Sequence, residues 1–125
     1  MLLRRTAIGL VLALLVALPV GAQDFEKGMA AYKRGDFATA YLEWRPLAGQ
    51  GNASAQTNIG IMCAGGQGVL KDDVLAHMWL SLAAAKGHKK GSNARDIVAK
   101  RMTPAQIAEA QKLARDWWAK HPKKK

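Results

Sequence analysis

The sequence predicts an all-α protein, a short α-α superhelical solenoid of about three helix hairpins, and three observations carry that expectation. The first is a spacing that occurs twice, 36 residues apart. From Ala40, the residues Trp44, Leu47, Ala48, Gly51 and Ala55 fall at +4, +7, +8, +11 and +15; from Ala76, Leu80, Ala83, Ala84 and Gly87 fall at +4, +7, +8 and +11, with Trp79 at +3. Residues three, four and seven apart share one face of a helix, so this is an apolar face ending in a glycine stop, used twice. The second is punctuation: short glycine or proline breaks separate six helix-periodic stretches. The third is the lone cysteine, Cys63, which forms no internal disulfide and leaves helix packing to hold the chain together. A period in the thirties marks a solenoid, in which each helix pair hides its apolar face by stacking on the next.

Each element has its own signals. Asp24 is placed to cap a first helix with Phe25, Met29 and Tyr32 on one face, and Gly35 ends it. Asp36 caps a second helix whose inward face is Phe37, Ala40, Tyr41, Trp44, Leu47 and Ala48, stopping at Gly49 to Gly51. Pro46 lies inside it; the apolar spacing continues past it, which predicts a local kink and not a boundary. A third helix is expected over about 53–64, with Ala55, Ile59 and Met62 on one stripe and Ser54, Thr57 and Ile61 on another, ended by Gly65, Gly66 and Gly68. Asp72 or Asp73 caps the fourth, where Ala76, Trp79, Leu80, Ala83 and Ala84 face inward before Gly87.

Past Gly87, the stretch His88-Lys89-Lys90-Gly91-Ser92 reads as a loop, and a fifth helix is expected over about 93–101, marked by Ile97 and Val98. Thr103-Pro104-Ala105-Gln106 is a capping-box start with proline at the first helical position. The sixth helix presents Ile107, Ala110, Leu113, Ala114, Trp117 and Trp118, and Pro122 with Lys123 to Lys125 ends order. The expected organisation is a leader over 1–22, a helical-repeat domain over 23–121 and a basic tail over 122–125. Within the domain, repeats span about 24–51 and 53–87, with a capping pair over 93–120.

The leader reading rests on Arg4 and Arg5 before an apolar run from Ala7 to Leu18, then Pro19-Val20-Gly21-Ala22 with compact residues before a cut after Ala22. The run is shorter than the roughly 20 apolar residues a bilayer-spanning helix needs. This pattern predicts a secreted, periplasmic or extracellular protein. The net charge is +10 for the whole chain; without the leader, 17 basic and 9 acidic residues leave +8. From 23 to 85 there are 5 basic and 6 acidic residues, whereas 86–125 holds 12 basic and 3 acidic. Such a block attracts anionic surfaces over a Debye length of about 8 Å. Export makes anionic envelope polymers or lipid the reachable counterpart, and nucleic acid the remote one.

The run Ile59-Gly60-Ile61-Met62-Cys63-Ala64-Gly65-Gly66-Gln67-Gly68-Val69-Leu70-Lys71-Asp72, continuing to Ala76, Trp79, Ala83-Ala84 and Gly87, resembles the Sel-like repeat, a relative of the tetratricopeptide repeat. That pattern runs LG-x-MY-x-x-G-x-GV-x-x-D, then A-x-x-W-x-x-x-AA-x-x-G. Cys63 stands where the family usually has Tyr, and Ile59 replaces Leu. The unit from Gly28 to Gly51 resembles the family more loosely, its Tyr32-Lys33-Arg34-Gly35-Asp36-Phe37 turn being closer to an ordinary tetratricopeptide unit. The stretch from Ala94-Arg95-Asp96 through Met102-Thr103-Pro104 to Ala110 resembles the closing segment of small bacterial members. The resemblance implies an α-α superhelix whose role is protein–protein contact, often in the bacterial envelope.

Catalytic chemistry finds no foothold. A serine acylase wants Lys three residues after Ser, and here Ser54 is followed at that spacing by Thr57, Ser81 by Ala84 and Ser92 by Arg95. His77, His88 and His121 are scattered, with no i, i+4 His pair and no Cys-x-x-Cys, so no metal site and no cofactor are expected. His77 reads as a surface or interface residue of the fourth helix, and Cys63 as a small buried hydrophobe. Trp44 and Trp79 read as core. Trp117 and Trp118, about 100° apart on one helix, cannot both point inward, so one of them, taken as Trp118, is a candidate contact for a partner or lipid interface. In tetratricopeptide-like stacks the first helix of each pair lines the concave side, which makes Ser54, Thr57, Asn58 and Ile61 the other candidate partner-binding residues. The repeat itself is defined by Gly35, Ala40, Trp44, Ala48, Gly51, Gly60, Gly66, Gly68, Asp72, Ala76, Trp79, Ala83, Ala84 and Gly87. The expected function is an exported, non-enzymatic adaptor for another protein; the alternative is that the basic last third tethers the domain to anionic envelope polymer or lipid.

Overall fold

The computed structural model describes residues 22–123. The expected leader thus lies outside the described residues except for Ala22, as do the last two lysines of the tail. Six α-helices follow in order: α1 (Ala22–Lys33), α2 (Phe37–Gly49), α3 (Ala53–Gly65), α4 (Asp73–Ala85), α5 (Lys89–Ala99) and α6 (Pro104–Lys120). Among the described residues there is no strand.

Local chemistry starts five of these helices. The Asp36 carboxylate accepts the Thr39 N–H at 3.2 Å, Asn52 Oδ1 that of Ala55 at 2.9 Å, and Asp72 Oδ1 that of Leu75 at 3.0 Å. Thr103 and Gln106 form the full capping box, each side chain accepting the other's backbone N–H at 3.2 and 2.9 Å. Each such cap satisfies a donor the helix leaves unpaired and is worth about 1 kcal/mol. The remaining cap is His88, whose Nδ1 accepts the Gly91 N–H at 3.2 Å and starts α5 at Lys89. The expected loop over 88–92 is therefore the first turn of a helix, and α5 ends at Ala99, before Arg101. Asp24 lies within α1 and not at its cap, since that helix already runs from Ala22.

The first two hairpins are α1 with α2 and α3 with α4, joined through packing of α2 on α3. Large side chains fill the joint: Trp44, Leu47, Ile59, Met62, Leu80 and Leu82 are all buried, beside small Ala40, Ala48, Ala55, Ala76 and Ala83. Trp44 also donates its indole N–H to the Phe25 carbonyl at 3.1 Å, tying α2 to α1. Burial of such side chains is worth about 1.5–3 kcal/mol each. α2 carries through Pro46 unbroken to Gly49. The glycine loop after α3 folds back on the first hairpin: Gly68 has φ +71°, and a Cβ there would lie 2.6 Å from the Phe37 carbonyl oxygen, so no other residue fits without displacing backbone.

The last two helices are arranged differently. α5 packs on both α3 and α4, and α6 packs on α4, whereas α5 and α6 do not lie along one another. α5 turns Gly91 and Val98 inward and α6 turns Ala110 and Ala114 inward, so each leans on the second hairpin separately. The result is two layers, with α3 beside α5 in one and α4 beside α6 in the other.

Candidate functional site

Two faces of this double layer carry hollows. Between α3 and α5 lies an apolar one of roughly 330 Å³, lined by Ile61, Ala64, Leu80, Ala94, Ile97 and Val98. Ile97 stands at its mouth, 63% exposed. Arg101 closes one end: its guanidinium meets the Asp73 carboxylate at 2.7–3.0 Å and donates to the Ala64 carbonyl at 2.7 Å. The pairing holds the Asp73 carboxyl below its ordinary range and Arg101 above its own. One side chain thus joins the end of α5 region to the end of α3 and the start of α4.

The candidate residues on α3 divide. Ser54 is exposed, Asn58 is half-buried, and Ile61 is half-buried and lines the hollow. Thr57 is completely buried and does not belong to a docking surface. Its hydroxyl lies 2.8 Å from His88 Nδ1; because that nitrogen already accepts the Gly91 N–H, the hydroxyl is the donor. The reason is position: α3 is covered by α2, α4 and α5, which leaves only a narrow strip of it free. Ile97, the most accessible apolar side chain of the hollow, was marked in sequence only as an apolar residue of α5, because nothing local distinguishes an outward isoleucine from an inward one.

On the other layer, α2, α4 and α6 enclose a hollow of roughly 610 Å³ that takes in Tyr41, Arg45, Leu75, Met78 and Trp117. A neighbour of roughly 760 Å³ lies against Gly51, Lys86, Trp118, Pro122 and Lys123. The two meet at Trp117 and His121, which line both. His121 stacks on Trp117 at 4.0 Å between ring centres, and its Nδ1–H donates to the Trp117 carbonyl at 2.8 Å. Trp117 and Trp118 meet edge to face at 5.0 Å, and both are half-buried, so neither is the single exposed ring that their spacing suggested. Lys86 and Lys123 flank the Trp118 ring at 6.0 and 5.7 Å, and Arg45 sits over Trp79 at 4.7 Å, distances at which a cation is drawn to an aromatic face. Lys86 is anchored by donating to the Gly51 carbonyl.

Two interior groups complete the chemistry. Cys63 is buried, and that burial, helped by the Asp72 charge, pushes its thiol up to about 11, so it is a packing residue with no thiolate at neutral pH. His77, expected as a surface or interface residue of α4, is buried as well; its Nδ1 lies 3.2 Å from the Ser81 hydroxyl, and desolvation lowers its pKa. Among the described residues no group of three or more His, Cys, Asp or Glu side chains stands close enough to hold a metal.

No protein-family model matches the chain, and no curated protein does. Among solved structures, the chain superposes on a protective antigen present in uropathogenic Escherichia coli strains, a protein displaying an SLR, or Sel1-like repeat, fold. The TM-score is 0.71 and the sequence identity 29%, over 78% of this chain. The fold is that of the Sel-like repeat. The chain spans 22% of the length of that antigen. In Sel-like terms, α1–α2 and α3–α4 are the two repeat hairpins, and the glycine loop between α3 and α4 is the segment that carries the repeat's pattern.

Proposed function

We propose that this Sel-like repeat protein is a non-enzymatic adaptor, exported across the inner membrane, that holds another protein through the hollow between α3 and α5. The observation that carries the reading is that hollow itself: an apolar cleft lined by both helices of one layer, with Ile97 projecting at its mouth and no segment of the described chain covering it. An uncovered apolar cleft rimmed by polar groups marks an interaction surface. Its small size fits one short segment or one helix of the partner, an interface at the low end of the range for transient contacts. The export part of the reading is supported by the leader pattern over residues 1–22.

Capture from cell-envelope extract with the purified chain tests the docking role, with the parent and Ile97→Asp run side by side and partners quantified after cross-linking. Because Ile97 is largely exposed, the variant should melt at the parent temperature and lose capture by about tenfold or more. Equal capture by the two proteins removes the hollow from the account. Fractionation of cells expressing the chain with and without residues 1–22 tests export in parallel; retention of both forms in the cytoplasm removes it.

A further inference from the structure

We propose that the face formed by α2, α4 and α6 is a second docking site, and that it takes an acidic peptide segment with interspersed apolar side chains from a partner protein. The proposal rests on the scaffold reading given above and assigns it a separate surface and a partner chemistry. The two hollows that meet at the stacked Trp117 and His121 rings form one trough in which apolar and cationic groups alternate. In one hollow Tyr41, Leu75 and Met78 offer apolar surface beside Arg45 and Lys120; in the other Lys86 and Lys123 bracket the Trp118 ring.

Charge decides the sign of the occupant. Arg45, Lys86, Lys120 and Lys123 all line the trough, and none of them forms an ion pair with a carboxylate among the described residues. The one acidic residue lining it, Asp116, is itself paired with Lys112 at 3.6 Å. A trough with four unneutralised cations attracts carboxylates and rejects basic segments.

Shape decides the class. The cations sit around concave hollows, which a flat lipid surface does not enter, and Asp116 interrupts the basic track that a run of phosphates would follow. A peptide satisfies both kinds of surface at once, setting leucine or aromatic side chains against Tyr41 and Met78 while its carboxylates reach Lys120 and Lys123. The half-buried tryptophans supply rigid apolar contact at small entropic cost.

The test is a titration of the full chain into a fluorescein-labelled dodecapeptide of repeating Glu-Leu-Glu-Phe, read by anisotropy. It is run beside the same peptide with Gln for Glu and beside vesicles of phosphatidylcholine and phosphatidylglycerol. The acidic peptide should bind about tenfold or more tighter than the glutamine peptide, the difference shrinking as salt rises. The Lys120→Glu/Lys123→Glu double variant, altered at two exposed positions and matched to the parent by thermal melting, should lose that advantage, while Ile97→Asp keeps it. Equal binding of the two peptides overturns the proposal. So does binding lost in Ile97→Asp and kept in the lysine variant, which leaves the scaffold reading intact and moves the peptide to the α3–α5 hollow. Lysine-dependent binding to the vesicles with none to the peptide overturns it in favour of a membrane. Absence of binding to any probe removes this site, and the scaffold reading is then decided by the envelope capture alone.

Discussion

At Gly28 a methyl group would fall 2.7 Å from the indole carbons of Trp44, and at Gly91 it would fall 2.8 Å from both the Ala83 Cβ and the Thr57 hydroxyl. These glycines sit inside helices, where glycine costs helix stability, and they are there because another helix lies directly on them. Gly28→Ala must therefore push Trp44 off the Phe25 carbonyl; we expect a loss of about 1–3 kcal/mol, measured by urea denaturation. Burial also gives His77 a definite pH dependence. Its lowered pKa, with Arg95 pushing in the same direction and Asp96 against, means that the unfolded chain binds the proton more readily than the folded one. Stability should then fall as pH drops below the ordinary histidine value of 6.5, whereas the contributions of Asp36 and Asp73, whose pKa values lie below 3.8, persist until far stronger acid. Melting curves taken between about pH 7.5 and pH 5 should show a shallower decline for His77→Gln than for the parent. An unchanged slope would show that His77 takes up its proton equally well in both states. His77 was not legible as buried in the sequence, since it sits beside the inward positions of α4 on a helix that packs on three others.

At the scale of the helix, sequence reading succeeds where the cap is a side chain with a strong preference and fails where it is not. Asp36, Asp72 and Thr103 announce their helices by residue type alone. His88 does not: histidine is an uncommon cap, and the neighbouring Lys89-Lys90-Gly91 has the composition of a loop. What makes it a helix start is tertiary, because the His88 ring is also held by the Thr57 hydroxyl of α3, and Gly91 is required by close approach to α3 and α4. His88→Ala should accordingly cost more than the roughly 1 kcal/mol of a surface cap, since it also strands the buried Thr57 hydroxyl. Asp72→Ala, whose cap is exposed, should stay near that figure; chemical denaturation of the two variants makes the comparison, and equal losses would mean that the Thr57 contact contributes nothing. Pro46 was legible as internal to α2 for the opposite reason, the apolar spacing on both sides of it being a local signal that the tertiary structure had no cause to overrule.

For the molecule as a whole, the two repeat hairpins were legible because their evidence lies within some 36 residues of sequence, in the matched spacing from Ala40 and from Ala76. The placement of α5 and α6 was not, since it depends on which outer surfaces of α3 and α4 remain to be covered. The candidate docking residues share that obscurity: Ser54, Thr57 and Ile61 read as one stripe of α3, but a third neighbour of that helix decides that Thr57 is inside and Ser54 outside. Because the buried residues of α6 are only the small Ala110 and Ala114 and the helix rests on α4 without the support of α5, it should open before the rest. Native-state hydrogen exchange should find the amides of α6 less protected than those of α3 and α4, and equal protection would mean that the chain unfolds as one cooperative unit. α4, by contrast, is a party wall. Its Leu80 lines the α3–α5 hollow while its Leu75, Met78 and Trp79 line the trough behind, so one rigid rod forms the back of both chambers. A substitution that shifts this rod therefore reshapes the back of both rooms at once.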